Sequence, residues 1–183
     1  MDMPSYEAGL IDGLNRNAKT GDRIVIVGAG IGITVAVALK KVGSTGSVKC
    51  IEGSSDCLGQ TKQTLSLNNL TGQAQLFHAI VGEDISVYKS KDVAEVLPAS
   101  DLPDCDLLEL DCEGAEVKIL REMTIRPKTI LVETHGTHGA PTNVVWSLLE
   151  DLGYTVQHLG VAEPYLEDYC NERDIMVLEG LRN

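Results

Sequence analysis

One run of residues, 23–32, constrains this chain more than any other: it reads Arg-Ile-Val-Ile-Val-Gly-Ala-Gly-Ile-Gly. Residues 24–27 are all β-branched and apolar, which is typical of a strand buried on both faces of a parallel sheet. Gly28, Gly30 and Gly32 follow at alternate positions and allow the backbone to turn tightly and to approach a ligand. The run therefore predicts a strand that ends in a ligand-binding turn, followed by a helix whose free N–H groups face the ligand.

The spacing of these glycines separates two classes of nucleotide site. The dinucleotide fingerprint Gly-x-Gly-x-x-Gly requires a glycine at position 33, where this chain has Ile33. The spacing Gly-x-Gly-x-Gly instead resembles the first motif of class I S-adenosylmethionine-dependent methyltransferases, in which the turn lies under the methionine portion of the cofactor. The alternative interpretation is a strand, turn and helix whose glycines serve packing alone.

Length and charge limit the classes of partner. A chain of 183 residues with 43% apolar residues is long enough for one full core, so we expect a single domain over residues 1–183, with 1–20 as a helix and cap. With 27 acidic and 15 basic residues the net charge is −12, and this field repels polyanions. We therefore expect neither nucleic acid nor an anionic membrane as a partner.

Cysteine usage and the termini bear on the compartment. The 5 cysteines include no Cys-x-x-Cys pair and do not suggest a disulfide framework. The first residues lack the basic and apolar regions of a signal peptide, and no apolar run approaches the length of a membrane span. We expect a cytoplasmic protein.

Hydrophobic periodicity predicts strands alternating with helices. After a leading helix at 4–16, strands are predicted at 24–27, 48–51, 74–81, 107–110 and 129–132, which implies parallel strands joined by helical crossovers. Residues 154–159 and 174–178 read as a final antiparallel pair. Within 85–104 only a strand-like piece at 87–88 and a helical turn near 93–97 are indicated. The expected fold class is α/β: a mostly parallel seven-stranded sheet with an antiparallel C-terminal strand and helices on both faces.

Acidic residues follow the predicted strands, and ligands of open α/β sheets bind outside the carboxyl ends of the strands. Glu52 lies twenty residues after Gly32, at the place where an acidic side chain accepts hydrogen bonds from ribose hydroxyls, although a solvated carboxylate is the alternative. Glu83 and Asp84 follow the third strand and either contact the adenine or belong to a surface turn.

Residues 106–120 form the most specific stretch, Asp-Leu-Leu-Glu-Leu-Asp-Cys-Glu-Gly-Ala-Glu-Val-Lys-Ile-Leu. It resembles the Asp-x-Glu-Gly-Ala-Glu signature of the FkbM methyltransferase family, and residues 28–32, 78–84, 131–135 and 152–154 are similar to further segments of that family. The resemblance implies the Rossmann-like class I methyltransferase fold and S-adenosylmethionine as cofactor. It implies these cofactor-binding residues: Gly28, Ala29, Gly30, Gly32, Glu52, Gly53, Glu83, Asp84 and Asp111.

The chain departs from the family pattern at three positions. Ile26 occupies the place of an acidic residue that normally orders the methionine end of the cofactor. Two outcomes are open: the cofactor binds weakly, or Asp111 supplies the missing carboxylate. Gly30 replaces an asparagine, and Glu109 stands where lysine is usual.

Two hypotheses concern the chemistry at the ends of the fourth and fifth strands. For a hydroxyl acceptor, His135 is the predicted catalytic base, with Asp111 or Glu133 orienting it. The alternative for His135 is a strand-end histidine bonded to the backbone. Asp111, Glu113, Glu133 and His135 also offer ligands for Mg²⁺ or another divalent ion that lowers the pKa of the acceptor hydroxyl.

The predicted function is S-adenosylmethionine-dependent O-methylation of a small molecule or a sugar hydroxyl. The expected partner is therefore a small-molecule acceptor, and a homodimer is left open. Two alternatives stand beside this function: an NAD(P)-dependent oxidoreductase, and a non-catalytic nucleotide-binding or interaction protein of the same fold.

Overall fold

A single twisted sheet runs through the protein, which we describe over residues 5–82 and 94–182 of a computed structural model. Its strands are β1 (Arg23–Val27), β2 (Ser47–Glu52), β3 (Ala74–Val81), β4 (Glu95–Leu97), β5 (Leu107–Leu110), β6 (Thr129–Glu133), β7 (Thr155–Val161) and β8 (Met176–Leu181). The α-helices in this part of the chain are α1 (Ala8–Asn17), α2 (Ile33–Val42), α3 (Ser55–Leu67), α4 (Glu116–Glu122), α5 (Thr142–Asp151) and α6 (Glu167–Arg173).

The strand order places the end of β1 at the switch point of the sheet. The order is β4-β3-β2-β1-β5-β6-β8-β7, so the chain moves outward from β1 to β4 and then returns to the other side of β1 with β5. Among these strands, β8 alone runs antiparallel to its neighbours, β6 and β7. The carboxyl ends of β1 and β5 therefore lie side by side where a crevice opens for a ligand.

The predicted fold class is confirmed, but the predicted number of seven strands is wrong. The additional strand is β4, a parallel edge strand on β3, in which Ala79 pairs with Glu95. It lies where we expected a helical turn, and its three residues are too few for hydrophobic periodicity to reveal. The strand-like piece at 87–88 lies outside the described residues.

The final antiparallel pair is confirmed. A 3-10 helix (Pro164–Leu166) and α6 join β7 to β8. The connection lets β8 lie between β6 and β7 instead of at the edge.

Both faces of the sheet are covered by helices, as the unbroken apolar run of β1 predicts. Ile24 and Ile26 pack on one face with residues of α1 and α2, among them Leu10 and Val35. The alternate residues of β1 pack on the other face with residues of α4 and α5. None of the helices in the described ranges is long and apolar enough to cross a membrane.

The amino ends of β1, β5 and β6 are joined by one carboxylate, Asp106. Its Oδ2 accepts hydrogen bonds from the backbone N–H of Arg23 at 3.0 Å and from Arg23 Nε at 3.3 Å, and Lys128 Nζ lies 3.3 Å from Oδ1. The backbone hydrogen bond from Arg23, together with the Lys128 and Arg23 side chains, holds the pKa of Asp106 below its ordinary value. The carboxylate therefore stabilises the fold only while it is ionised.

We expect Asp106→Asn to lower the free energy of unfolding near neutral pH by about 1–2 kcal/mol, because it removes charge-assisted hydrogen bonds. The folded-state pKa lies below the unfolded one, so this stabilisation is present above about pH 4 and is lost as the pH falls through the folded value. The difference between the two proteins in urea unfolding should shrink accordingly at acid pH. Asp104→Asn is the matched control, because its side chain also pairs with Arg23 but is 73% exposed. Equal destabilisation by both variants would contradict the assignment.

Candidate active site

The glycine-rich turn after β1 presses against the end of β5. Gly28 has φ +87°, and a Cβ at this position would lie 1.6 Å from the carbonyl oxygen of Asp111. Only glycine fits this contact, so the turn and the end of β5 form one continuous surface. Gly32 precedes the first residue of α2, and its backbone lies against Thr61 of α3. The turn thus begins α2 at the carboxyl edge of the sheet, as predicted.

Glu52, at the end of β2, binds this turn directly. Its Oε2 accepts hydrogen bonds from the backbone N–H groups of Ala29 at 2.8 Å and Gly30 at 3.1 Å. Its Oε1 accepts a third hydrogen bond, at 2.7 Å, from the N–H of Ser54. The structure therefore brings Glu52 and the glycine turn together, but it shows a contact that the sequence did not indicate: the carboxylate fixes the shape of the turn.

Gly53 is another of the predicted cofactor residues. Gly53 follows Glu52 and packs against Ile80 of β3, and its carbonyl oxygen lies 3.1 Å from His78 Nε2. It therefore lines the same edge of the sheet as the glycine turn. Glu83 and Asp84 lie outside the described residues.

The N-terminal segment lies over the same edge. A methyl group placed on Gly30 would lie 3.6 Å from Glu7 Oε1 and 3.8 Å from the Tyr6 hydroxyl. The Glu7 N–H donates a hydrogen bond of 2.9 Å to Glu163 Oε1, beyond the end of β7. The leading helix thus borders the predicted ligand site through two residues that precede it. Their sequence carried no signal of this role.

Five carboxylates meet at this edge, and we call them the acidic cluster: Glu7, Glu109, Asp111, Glu133 and Glu163. Glu7 is 5% exposed and Glu133 is 8% exposed. Within the described residues none of the five forms an ion pair with lysine or arginine. The cluster is therefore a concentrated negative site with no cationic side chain from these residues, apart from the neighbouring His135.

Burial raises the pKa values of the carboxyls in the acidic cluster. It raises the pKa of Glu7 and of Glu133 well above the ordinary value, and the charge of Asp111 adds to the effect in both cases. Burial likewise raises the pKa of Glu109 to about 8, partly opposed by the nearby Thr34 side chain. Burial also raises the pKa of Asp111, although the charge of His135 lowers it. Carboxyls in such surroundings take up protons near neutral pH or bind a cation.

His135 lies 4% exposed among four carboxylates. Its Nδ1 is 2.9 Å from Glu116 Oε1, while Nε2 is 3.5 Å from Asp111 Oδ1 and 3.6 Å from Glu133 Oε1. Burial lowers the pKa of His135, but the hydrogen bond with Glu116 and the charges of Asp111, Glu116 and Glu113 outweigh it and raise the value to about 9. The ring is therefore charged at neutral pH in this arrangement.

Glu116, rather than the predicted Asp111 or Glu133, hydrogen-bonds to His135 and orients it. Glu116 is fully buried at the start of α4 and also accepts a 3.0 Å hydrogen bond from the N–H of Cys112. It is the last acidic residue of the signature run, which is the signal that could have identified it. The ring of His135 faces carboxylates, so the alternative of a side chain bonded to the backbone does not describe it.

The four predicted metal ligands are only partly brought together. Three of them, Asp111, Glu133 and His135, each offer one ligand atom, and these three atoms lie within 4.8 Å of one another. Glu113 is outside this group of three, and its Oε2 lies 3.3 Å from Nδ1 of the half-exposed His138. A separate groove of about 530 Å³ lies between α1, β7 and α6 and contains none of the predicted site residues.

Comparison with known proteins supplies a class for this site. A family model described as the methyltransferase FkbM domain matches residues 29–156. No curated protein sequence matches the chain.

Solved structures with similar folds include methyltransferases of low sequence identity. A precorrin-6y C5,15-methyltransferase from Geobacter metallireducens has a TM-score of 0.62 at 15% identity, over 97% of this chain and 87% of that one. A SAM-dependent O-methyltransferase from Thermotoga maritima has a TM-score of 0.60 at 19% identity, over 100% and 67%. Fibrillarin from Aeropyrum pernix, in complex with S-adenosyl-L-methionine, has a TM-score of 0.55 at 17% identity, over 90% and 68%. At such identities the likeness shows the fold.

The contact between Gly28 and Asp111 can be tested with a matched pair of glycines. Gly28 and Gly153 have φ of +87° and +88°, but no atom of the described residues lies within 4 Å of a Cβ at Gly153. Gly153→Ala should lower the free energy of unfolding by about 1–2 kcal/mol, the cost of the left-handed backbone alone. Gly28→Ala should cost more than about 3 kcal/mol, because the methyl group also displaces the end of β5. Denaturant unfolding compares the two, and similar losses would contradict the contact.

Proposed function

This chain belongs to the FkbM methyltransferase family, and on that basis we propose that it transfers a methyl group from S-adenosylmethionine to a hydroxyl oxygen of a small molecule or sugar. The observation that carries the proposal is the glycine turn at the switch point, fixed by Glu52 and placed directly beside the acidic cluster. A turn of this kind suits an adenosyl group, and a negative site suits the sulfonium and the ammonium of the cofactor. Family membership and Ile33 both favour this function over an NAD(P)-dependent oxidoreductase.

We assign the cofactor to Gly28, Ala29, Gly30, Gly32, Glu52 and Gly53, with its methionine portion on the glycine turn and its ribose at Glu52, and with Glu83 and Asp84 as further predicted contacts. In this proposal Glu52 has two tasks, because a carboxylate has about four acceptor positions and three are occupied by backbone N–H groups. The remaining position is available to a ribose hydroxyl.

The methionine portion requires a carboxylate, although Ile26 occupies the position where the family has an acidic residue. Across the ladder between β1 and β5, Ile26 pairs with Glu109. The side chains of paired residues in a sheet lie on the same face, so Glu109 offers a carboxylate at the level of Ile26 from the neighbouring strand. Glu7 and Asp111 lie close enough for their charges to act on one another, and Glu109 acts on Glu7 in the same way. We assign the ammonium of the cofactor to this group of three carboxylates.

Methyl transfer is an in-line displacement. The acceptor oxygen forms a bond to the methyl carbon, the carbon–sulfur bond breaks, and its electron pair returns to sulfur to give S-adenosylhomocysteine. The protein chiefly has to align the two reactants and exclude water. The hydroxyl proton leaves during the transfer, and we assign its uptake to the coupled pair of Asp111 and His135 rather than to either residue alone.

The charge of the protein favours a neutral or cationic acceptor. The acidic cluster and the net charge of −12 both disfavour a polyanion next to the methyl donor. The exclusion of nucleic acid, the cytoplasmic location and the open question of a homodimer stay predictions. A non-catalytic protein of this fold would bind the cofactor without turnover, and an assay of methyl transfer separates the two.

Calorimetry with S-adenosylhomocysteine tests the cofactor site. We expect Glu52→Gln to weaken binding by at least about tenfold, because the amide removes the charge and one acceptor oxygen from the turn. Asp56→Asn is the matched control: it removes one charge from the exposed start of the adjacent α3 and should leave the affinity within about twofold. Equal weakening by both variants would indicate a general charge effect, and no binding by the unaltered protein would contradict the proposal.

Transfer of a radiolabelled methyl group to a panel of hydroxylated acceptors tests the catalytic pair. His135→Gln should reduce turnover by at least about 100-fold, because the pair then cannot take up the hydroxyl proton. His138→Gln changes the neighbouring ring, which stacks on His135 with centroids 6.2 Å apart, and should retain turnover. Full turnover by His135→Gln would refute the assigned role.

A further inference from the structure

We propose that Asp111, Glu133 and His135 bind one divalent transition-metal ion of the Zn²⁺ class, with Glu116 positioning His135. The proposal concerns a binding site that the match to the family does not assign. It narrows the expectation of Mg²⁺ or another divalent ion at four residues to a transition-metal ion held by three of them.

The distances around His135 Nε2 are those of a coordination site rather than of hydrogen bonds. Asp111 Oδ1 lies at 3.5 Å and Glu133 Oε1 at 3.6 Å from this nitrogen. Hydrogen bonds of this type are about 2.7–3.2 Å long, so Nε2 forms none with either oxygen. Glu113 Oε2 lies at the same distance, 3.6 Å, so three carboxylate oxygens surround this nitrogen across a nearly equal gap.

The gap fits a four-coordinate ion. Ligands about 2.0–2.1 Å from a tetrahedral Zn²⁺ ion are separated from one another by about 3.4 Å. Ligands at right angles around an octahedral Mg²⁺ ion are separated by only about 3.0 Å. The observed 3.5 and 3.6 Å are closer to the first value.

Glu116 completes the arrangement on the other side of the ring. A histidine that binds a metal through one nitrogen usually donates the N–H of its other nitrogen to a carboxylate, which fixes the tautomer. Here Nδ1 lies 2.9 Å from Glu116 Oε1, and Glu116 is held in turn by the Cys112 N–H. Nε2 faces Asp111 and Glu133, and an ion that binds there would displace its proton.

A buried oxygen without a partner indicates separately that a cation belongs at this site. Glu133 is only 8% exposed, and its Oε2 accepts no hydrogen bond from any described residue. The same holds for Oε2 of Glu7, which lies in the adjoining part of the acidic cluster. Unpaired buried carboxylate oxygens cost several kcal/mol unless a cation or a proton compensates them.

The ligand types select the ion. Imidazole favours Zn²⁺, Fe²⁺ or Ni²⁺, whereas Mg²⁺ prefers carboxylates, carbonyls and water. Three protein ligands leave one position of a tetrahedron open, as in catalytic zinc sites. Glu113 is as close to Nε2 as Glu133 is, but it lies outside the group of mutually close ligand atoms and contacts His138, so we leave it out of the set.

The role of the ion rests on the proposed function. Because the carbonyl oxygen of Asp111 lies against the glycine turn, a hydroxyl bound to the ion would lie near the proposed methyl donor. The ion would lower the pKa of that hydroxyl and replace the Nε2 proton, so in the ion-bound protein the hydroxyl proton would leave to solvent rather than to Asp111 and His135. Binding of the ion itself does not depend on this role.

The test titrates the chelator-treated protein with Co²⁺, without any S-adenosyl compound present. We expect one equivalent to bind with the strong visible absorption of four-coordinate Co²⁺, and one equivalent of Zn²⁺ to displace it. Mg²⁺ in an excess of about a thousandfold should not displace it, because imidazole binds Mg²⁺ weakly. Absence of stoichiometric binding, displacement by Mg²⁺, or a thiolate-to-cobalt band from the cysteines would overturn the proposal.

Variants then assign the ligands. His135→Ala and Asp111→Asn should each weaken Co²⁺ binding by at least about 100-fold, and Glu116→Gln by about 10–100-fold. His138→Ala is the control and should bind as the unaltered protein does. Circular dichroism checks folding, and Glu133→Gln replaces any variant that does not fold. Unchanged binding by the folded ligand variants would overturn the site.

The tests of the cofactor site and of the metal site have independent outcomes. Binding of S-adenosylhomocysteine in the presence of a chelator supports the cofactor site whether or not the ion binds. Co²⁺ binding without that ligand supports the metal site whether or not the cofactor binds.

Discussion

The contact between Gly28 and the carbonyl oxygen of Asp111 determines how the carboxyl edge of the sheet is built. It joins the end of β1 to the end of β5 at the point where the strand order reverses, and a side chain at position 28 would separate them. Every other part of the candidate site is arranged around this junction. Glu52 holds the turn from the side of β2, while Asp111 begins the loop that leads to α4, where Glu116 hydrogen-bonds to His135.

A second constraint is electrostatic and follows from the first. Bringing the strand ends together also brings Glu109, Asp111 and Glu133 together, and the segment before α1 adds Glu7. Burial makes their ionised forms costly, so the cluster either takes up protons or binds cations. A methyl donor that carries a sulfonium and an ammonium, and a divalent ion on His135, are two cations of suitable chemistry. The same negative site that would disfavour a polyanion would favour these ligands.

Much of the fold could be predicted from periodicity and from glycine spacing. The apolar run of β1 indicated a doubly covered parallel sheet, and the distance between the last two strands indicated their antiparallel pairing. The three-residue edge strand β4 was missed, because so short an element has no measurable period. The side chains at the strand ends were identified, since the residue after a parallel strand necessarily lies at the ligand edge.

The partners of those side chains could not be predicted in the same way. We expected Glu52 to face a ribose. Whether its carboxylate points toward a ligand or toward backbone N–H groups depends on the side-chain rotamer, which the spacing of residues in the sequence does not determine. Glu116 orients His135 through a contact across 19 positions, and Glu7 reaches the site from an N-terminal segment that contains no motif. These contacts arise from tertiary packing, which brings distant residues together. The local sequence pattern does not predict them.

The most direct measurement of the central claim is a crystal structure of the protein soaked with S-adenosylhomocysteine. We predict the ligand on the turn from Gly28 to Gly32, with its ribose at Glu52, its sulfur facing Asp111 and His135 and its ammonium near Glu7. Density for the ligand elsewhere, for example in the groove between α1, β7 and α6, would contradict this prediction.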